Sequence, residues 1–210
     1  MSKHFIFDME TWNQNQYECA LIDCSYYIFD WDRFTTDNFY TIEELLDDIK
    51  RDKFSYEYQK QYKEKGFKVD PDTVDWWAKQ DKKVRIRTKP SNEDITFPDH
   101  LDNLEEYLSG NKIKYWWSRG TDYDPPILDR ITRLLDRRKI YDTLLFWALR
   151  DTRSFLDGFT LFDHRNDFCP ISDTKKWDDI FEKHNSTHDI MADILRLQAV
   201  ARLKLDLDVP

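Results

Sequence analysis

The heptapeptide Phe5-Ile6-Phe7-Asp8-Met9-Glu10-Thr11 alternates residue by residue. Read as a strand, its period of two places Phe5, Phe7 and Met9 on one face and Ile6, Asp8 and Glu10 on the other. The two carboxylates then project from one side, roughly 7 Å apart along the chain. Like charges so placed raise each other's pKa unless a cation neutralises them. Mg²⁺ and Mn²⁺, hard ions that favour carboxylate and water oxygens, are the simplest candidates. Taken alone, the heptapeptide leaves two readings open: an edge strand with a solvated face, or half of a metal site.

Composition narrows the class. With 210 residues, 8 Trp, 14 Phe and 11 Tyr, the chain has material for the core of a single globular domain over 1–210, although 35% of its residues are charged. Only 4 Gly are present, and neither a dinucleotide fingerprint nor a P-loop occurs. Cys19, Cys24 and Cys169 are an odd set without metal-ligand spacing, which points away from disulfides and structural zinc and towards a reducing cytoplasm. No apolar run is long enough to span a bilayer, and the early acids argue against a signal peptide. A formal net charge of −9 disfavours tight, non-specific coating of nucleic acid. It is compatible with an acidic site that holds cations.

Strand and helix signals are mixed along the chain, which defines an α/β class. Residues 5–10, Ala20–Phe29 and Lys112–Trp117 read as strands, and Leu144–Ala148 as a short buried one. Thr41–Ile49, Asp72–Gln80, Asp99–Leu108, Pro125 to about Arg138 and Asp189–Leu203 read as helices. Residues 81–98 read as a loop or an irregular strand. On a strand, Lys83, Arg85, Arg87 and Lys89 would share a face, either as a track for phosphates or as a solvated ribbon.

Two further segments carry chemistry. In Trp117-Ser118-Arg119-Gly120-Thr121-Asp122-Tyr123-Asp124-Pro125-Pro126, a strand turns into a helix, and Asp124 is either an N-cap or a third metal-facing acid. In His184-Asn185-Ser186-Thr187-His188-Asp189, a loop becomes the last helix with a histidine and an acid five apart. Histidine is a general base near neutral pH. His188 and Asp193 repeat that spacing one turn later.

Asp-x-Glu on a first strand, an Asp opening a middle helix and His-x-x-x-x-Asp at a last helix resemble, in this order, the DEDDh group of 3'-5' exonucleases. Further landmarks resemble exonuclease A of the T4-like bacteriophages: Asp75–Gln80, Trp117–Gly120 with Tyr123-Asp124 and Pro126–Leu128, Arg150–Arg153, and His184–Ile194. The resemblance implies a ribonuclease H-like (DnaQ-like exonuclease) fold with a mixed central sheet flanked by helices. It implies two divalent cations, Mg²⁺ or Mn²⁺, on Asp8, Glu10, Asp124 and Asp189, with His184 as general base. Ser186 supplies the small residue that the family favours two after its histidine, which selects His184 and Asp189 over His188 and Asp193. Tyr123 likewise selects Asp124 over Asp122.

The implied activity is metal-dependent 3'-5' exodeoxyribonuclease action at a DNA 3' end, releasing nucleoside 5'-monophosphates. The alternatives are an exoribonuclease of the same fold and a non-catalytic nucleic-acid-binding module. Thr11 and Trp12 follow the acids directly and are expected to border the terminal nucleotide, Trp12 by stacking or else by core packing. Arg119, near Asp124, is expected to contact a phosphate. The implied location is cytoplasmic, the host cytoplasm for a phage protein.

Overall fold

The computed structural model describes residues 2–160 and 180–209. Its centre is β1 (Lys3–Thr11), paired antiparallel with β2 (Leu21–Asp30), which pairs antiparallel with β3 (Lys50–Lys53). On its other side β1 runs parallel to β4 (Tyr115–Ser118), which runs parallel to β5 (Leu149–Asp151). The strand order is therefore β3-β2-β1-β4-β5, a mixed sheet.

The alternation of β1 decides the layers. Phe5, Phe7 and Met9 pack with Leu101, Leu104, Ile127 and Ile131 on one side, from α5 (Phe97–Leu108) and α6 (Asp124–Leu134). Ile6 faces the other layer, with Leu45 of α1 (Ile42–Asp48) and Ile190, Ile194 and Leu197 of the C-terminal helix, Ser186–Leu203. Each wholly buried Phe or Leu contributes ~1.5–3 kcal/mol of transfer free energy, so register errors in β1 are costly. Local signals agree with this packing. Thr96 and Asp99 form a reciprocal capping box at α5, and the Thr41 hydroxyl accepts from the Glu44 N–H at 3.2 Å to start α1.

Residues 54–87, between β3 and α5, carry further helices: α2 (Tyr56–Gln59), α3 (Pro71–Ala78) and α4 (Lys82–Arg87). The last corrects the sequence reading of 81–98 as loop or strand. Asp81 Oδ1 accepts from the N–H groups of Lys83 (2.8 Å) and Val84 (3.3 Å), a cap that outweighs the strand-like alternation of charge. Leu144–Ala148 is not a strand either. Phe146–Ala148 form a 3₁₀ turn with Phe146 79% and Trp147 62% exposed, and β5 begins only at Leu149. The third strand pairs from Tyr115, and α6 stops at Leu134. α7 (Thr152–Thr160) follows β5, and the C-terminal helix is α8. Cys19 and Cys24 are buried thiols; Cys169 lies outside the described residues. Among the described residues, no helix is long and apolar enough to cross a membrane.

Candidate active site

The C-terminal end of β1 delivers two acids to one place, and the register with β2 decides what surrounds them. Asp8 is opposite Ser25, and Glu10 is opposite Asp23. Ser25 and Asp23 then anchor the start of α8. The Ser186 hydroxyl donates to Asp23 Oδ1 at 2.6 Å and lies 2.7 Å from Ser25 Oγ, which is 2.9 Å from Thr187 Oγ1. Asn185 caps the helix by accepting from the Thr187 N–H at 3.2 Å. This docking turns Asp189, in the first turn, towards β1. One oxygen each of Asp8, Glu10 and Asp189 lie within 4.8 Å of one another.

Asp124 closes the group from the α6 side. It is the first residue of α6, and the preceding Tyr123 makes no side-chain cap. Its carboxylate does not act as an N-cap but turns back on the sheet, where the Ser118 hydroxyl donates to Oδ2 at 3.0 Å. The α6 N-terminus opens with Pro125, which fits a first helical turn because no N–H is needed there.

Burial and mutual repulsion shape the acidity of the group. Burial, then Asp124 and Asp189, hold Asp8 well above the usual carboxylate range. Burial, then Asp23 and Asp189, do the same to Glu10. Asp124 is pushed up to about 8 by burial, against the Ser118 hydrogen bond, with Asp189 and Asp122 adding to the rise. Asp189 is pushed up to about 7 by burial and then by Asp193. Such a cluster binds protons or cations in preference to standing charged and unpaired. An all-oxygen donor set of converging carboxylates is suited to a hard divalent cation, and Asp8, Glu10 and Asp189 could hold one, with Asp124 close enough to raise the pKa of Asp8.

Asp193, one turn beyond Asp189, has a different environment. Arg119 Nε donates to both its oxygens (3.1 and 3.3 Å), Arg196 Nη1 to Oδ1 (3.0 Å) and Thr152 Oγ1 to Oδ2 (2.6 Å). Burial pushes its carboxyl up, but the two guanidinium groups override that and hold it below the usual range. Arg119, expected to contact a phosphate, has its guanidinium on Asp193, a desolvated carboxylate that needs a cation.

Thr11 is buried, its hydroxyl donating to Asn13 O (2.8 Å) and lying 2.7 Å from the Tyr123 hydroxyl, so it holds the turn after β1 and presents no free hydroxyl. Trp12 is half-buried and meets the edge of Trp77, centroids 6.4 Å apart, combining core packing with a partly open ring. His184 does not join the carboxylates. Its ring stands edge-on to Trp76 (4.7 Å) and Trp77 (6.1 Å), and its φ of 60° is left-handed, a conformation that costs ~1–2 kcal/mol outside glycine. Burial, then Lys183 and Arg87, lower its pKa. His188 turns away to accept from the Glu182 N–H at 3.2 Å through Nδ1.

Sequence reasoning missed the support of the site. Asp23 is wholly buried and held by Arg51, whose Nε donates at 3.2 Å. The signal was an acid inside the otherwise apolar Ala20–Phe29 run. In the sequence Arg87 is only one of a row of cations. It turns inward, with Nη1 3.3 Å from Glu182 Oε2 and Nη2 donating to the His184 carbonyl, and its charge offsets part of the repulsion at Glu10 and Asp189.

Comparison with known proteins identifies the family and the fold. Residues 3–196 match the family described as the 3'-5' exoribonuclease Rv2179c-like domain. The chain is 28% identical over 218 aligned positions to the protein named exodeoxyribonuclease of Enterobacteria phage T4, covering 97% of this chain and 91% of that one. Among solved structures it is similar to exonuclease I from Methylocaldum szegediense (TM-score 0.58, 12% identity, 98% of this chain). A second exonuclease I structure, from work on its processivity, gives a TM-score of 0.59 at 12% identity over 99% of the chain. The chain spans 42% of the length of each of these exonuclease I chains, and the likeness concerns the fold. Mixed sheet, converging acids and near full-length family match together place the chain in the 3'-5' exoribonuclease Rv2179c-like family, as a 3'-5' exonuclease of the ribonuclease H-like fold.

Proposed function

We propose that the chain is a metal-dependent 3'-5' exodeoxyribonuclease that releases nucleoside 5'-monophosphates from a DNA 3' end. The observation that carries the reading is the convergence of Asp8, Glu10 and Asp189, with Asp124 closing the group. Two divalent cations, Mg²⁺ or Mn²⁺, would supply activation of water and neutralisation of the leaving 3'-oxygen. Asp8, Glu10, Asp124 and Asp189 hold that charge in place, and their burial strengthens every electrostatic interaction there. His184 takes the proton of the attacking water. Its lowered pKa keeps the imidazole neutral, hence basic, at pH 7. To act, its ring has to leave Trp76 and turn towards the carboxylates. Trp12 borders the terminal base.

The DNA assignment rests on the T4 relative, which is named an exodeoxyribonuclease and matches almost from end to end. The description of the family as exoribonucleases supports the sibling reading, an enzyme acting on RNA. Digestion of 3'-labelled single-stranded DNA and RNA of one sequence, with Mg²⁺ or Mn²⁺, decides between them; faster release from RNA overturns the DNA reading. His184→Ala is expected to lower the rate by ~10²–10⁴, the usual worth of a general base, and far more than His188→Ala. The reverse ranking would transfer the base to His188.

A further inference from the structure

Residues 79–89 hold six cations (Lys79, Lys82, Lys83, Arg85, Arg87, Lys89) and one acid (Asp81), a local charge of +5 in a chain of net charge −9. The helical form of α4 sorts them. Val84 and Thr88 are buried and Arg87 turns inward, whereas Lys82, Arg85, Ile86 and Lys89 are exposed on the opposite face. Among the described residues, Lys79, Lys82, Arg85 and Lys89 make no ion pair through their side chains. Ile86 is 56% exposed amid these cations, and Trp76 of the adjacent α3 is 38% exposed beside Lys79. A solvated charge ribbon has no use for an isoleucine and a tryptophan at its surface.

The inward side of these same two helices packs beside the candidate active site, which sets the cationic face next to it. Trp77 Nε1 donates to the carbonyl of Thr11 at the end of β1 (2.9 Å), Trp77 and Val84 pack on Ile22, and Arg87 reaches Glu182 and the His184 carbonyl. We infer that the outer face of α4, with Trp76 of α3 and Lys79 just beyond it, binds the single strand of nucleic acid that runs 5' from the nucleotide being removed. The inference rests on the exonuclease reading above and adds where the body of the substrate lies. Cations spaced along one face follow successive phosphates, while Trp76 and Ile86 offer apolar surface to unstacked bases. An otherwise acidic chain thereby gains a local track for a polyanion without coating itself in it.

The test is binding of a fluorescein-labelled 20-nucleotide oligo(dT) to the Asp8→Asn protein, read by anisotropy against salt, with and without Lys82→Glu, Arg85→Glu and Lys89→Glu together. The triple variant is expected to raise Kd at least tenfold. With three cations no longer neutralising phosphates, the slope of log K against log salt should become shallower by about 2, since each neutralised phosphate on a single strand contributes ~0.7. In the Asp8-containing protein, the ratio of kcat/KM on the 20-mer to that on a dinucleotide should fall at least tenfold. Unchanged Kd and salt slope, or an unchanged ratio, overturn the inference. Should the triple variant melt at a lower temperature, Arg85→Gln alone decides by the same slope. The binding arm needs no turnover, so an inert wild-type protein would count against the exonuclease reading and leave this inference to be judged separately.

Discussion

Asp189, half-buried, and Asp193, buried, stand one turn apart on α8, yet they are opposite in character. Asp193 brings its own cations: Arg119 and Arg196 bind it, Thr152 donates to it, and its pKa is lowered. Asp189 faces Asp8 and Glu10, and its pKa rises to about 7. A buried acid supplied with arginine is structural; an acid supplied with other acids waits for a cation from outside. Of the two acids in the repeated His-x-x-x-x-Asp spacing, Asp189 is the one that lies with Asp8 and Glu10, whereas both oxygens of Asp193 have partners from the protein.

The sharpest way to break this comparison is to remove charge from the acidic side. Asp8→Asn is expected to lower the exonuclease rate by ~10³ or more, the scale seen when a preorganised electrostatic group is lost, while the metal-free fold melts no lower than wild type. A metal-free melting temperature that falls sharply would make Asp8 a structural acid like Asp193. The converse substitution, Asp193→Ala, removes the buried carboxylate that Arg119 and Arg196 share and should cost ~3–5 kcal/mol, measured by urea unfolding. If Asp189→Ala costs as much in the absence of metal, the distinction fails.

A third, smaller effect tests the anchor that separates the two acids. Ser186→Ala removes the donor to Asp23 and should cost ~1–3 kcal/mol, with weaker Mg²⁺-induced stabilisation because Asp189 loses its alignment. Melting that is unaffected by Ser186→Ala would show that α8 docks by its apolar face alone.

The smallest expected effect is on pH. Asp124 (about 8) and Asp189 (about 7) have folded pKa values above the usual 3.8. Between these limits the native state binds more protons than the unfolded chain, so metal-free stability falls as pH rises from about 4 to 8. Added Mg²⁺ should therefore raise the melting temperature more at pH 8 than at pH 5, since protons compete for the same oxygens. A shift that is equal at the two pH values would place Mg²⁺ binding away from these acids. Asp193 contributes with the opposite sign: its lowered pKa stabilises the fold at neutral pH, and that contribution disappears only in acid.

Much of this was legible along the chain. The alternation of residues 5–10 identified β1 and assigned each side chain to its layer, because a strand's period of two leaves no other choice. Capping residues marked α1, α3 and α5, and Pro125-Pro126 marked the start of α6, to within a few residues. What misled was alternation without burial. Lys83 to Lys89 mimics a strand in charge pattern, but a single cap at Asp81 and two inward residues, Val84 and Thr88, made it a helix. Leu144–Ala148 is apolar in composition, and its exposed Phe146 and Trp147 show that composition does not determine burial.

By itself the sequence determined which face of β1 carries the acids, which residue types were available to hold a cation, and the order in which they occur. Tertiary structure alone decided which of two identically spaced acids on α8 turns towards them, where His184 rests, and that Arg119 belongs to Asp193. The physical reason is that a carboxylate's role depends on its nearest charges, and for Asp8, Asp189 and Asp193 those come from segments far apart in the chain: β1, the turn after β4, and α8.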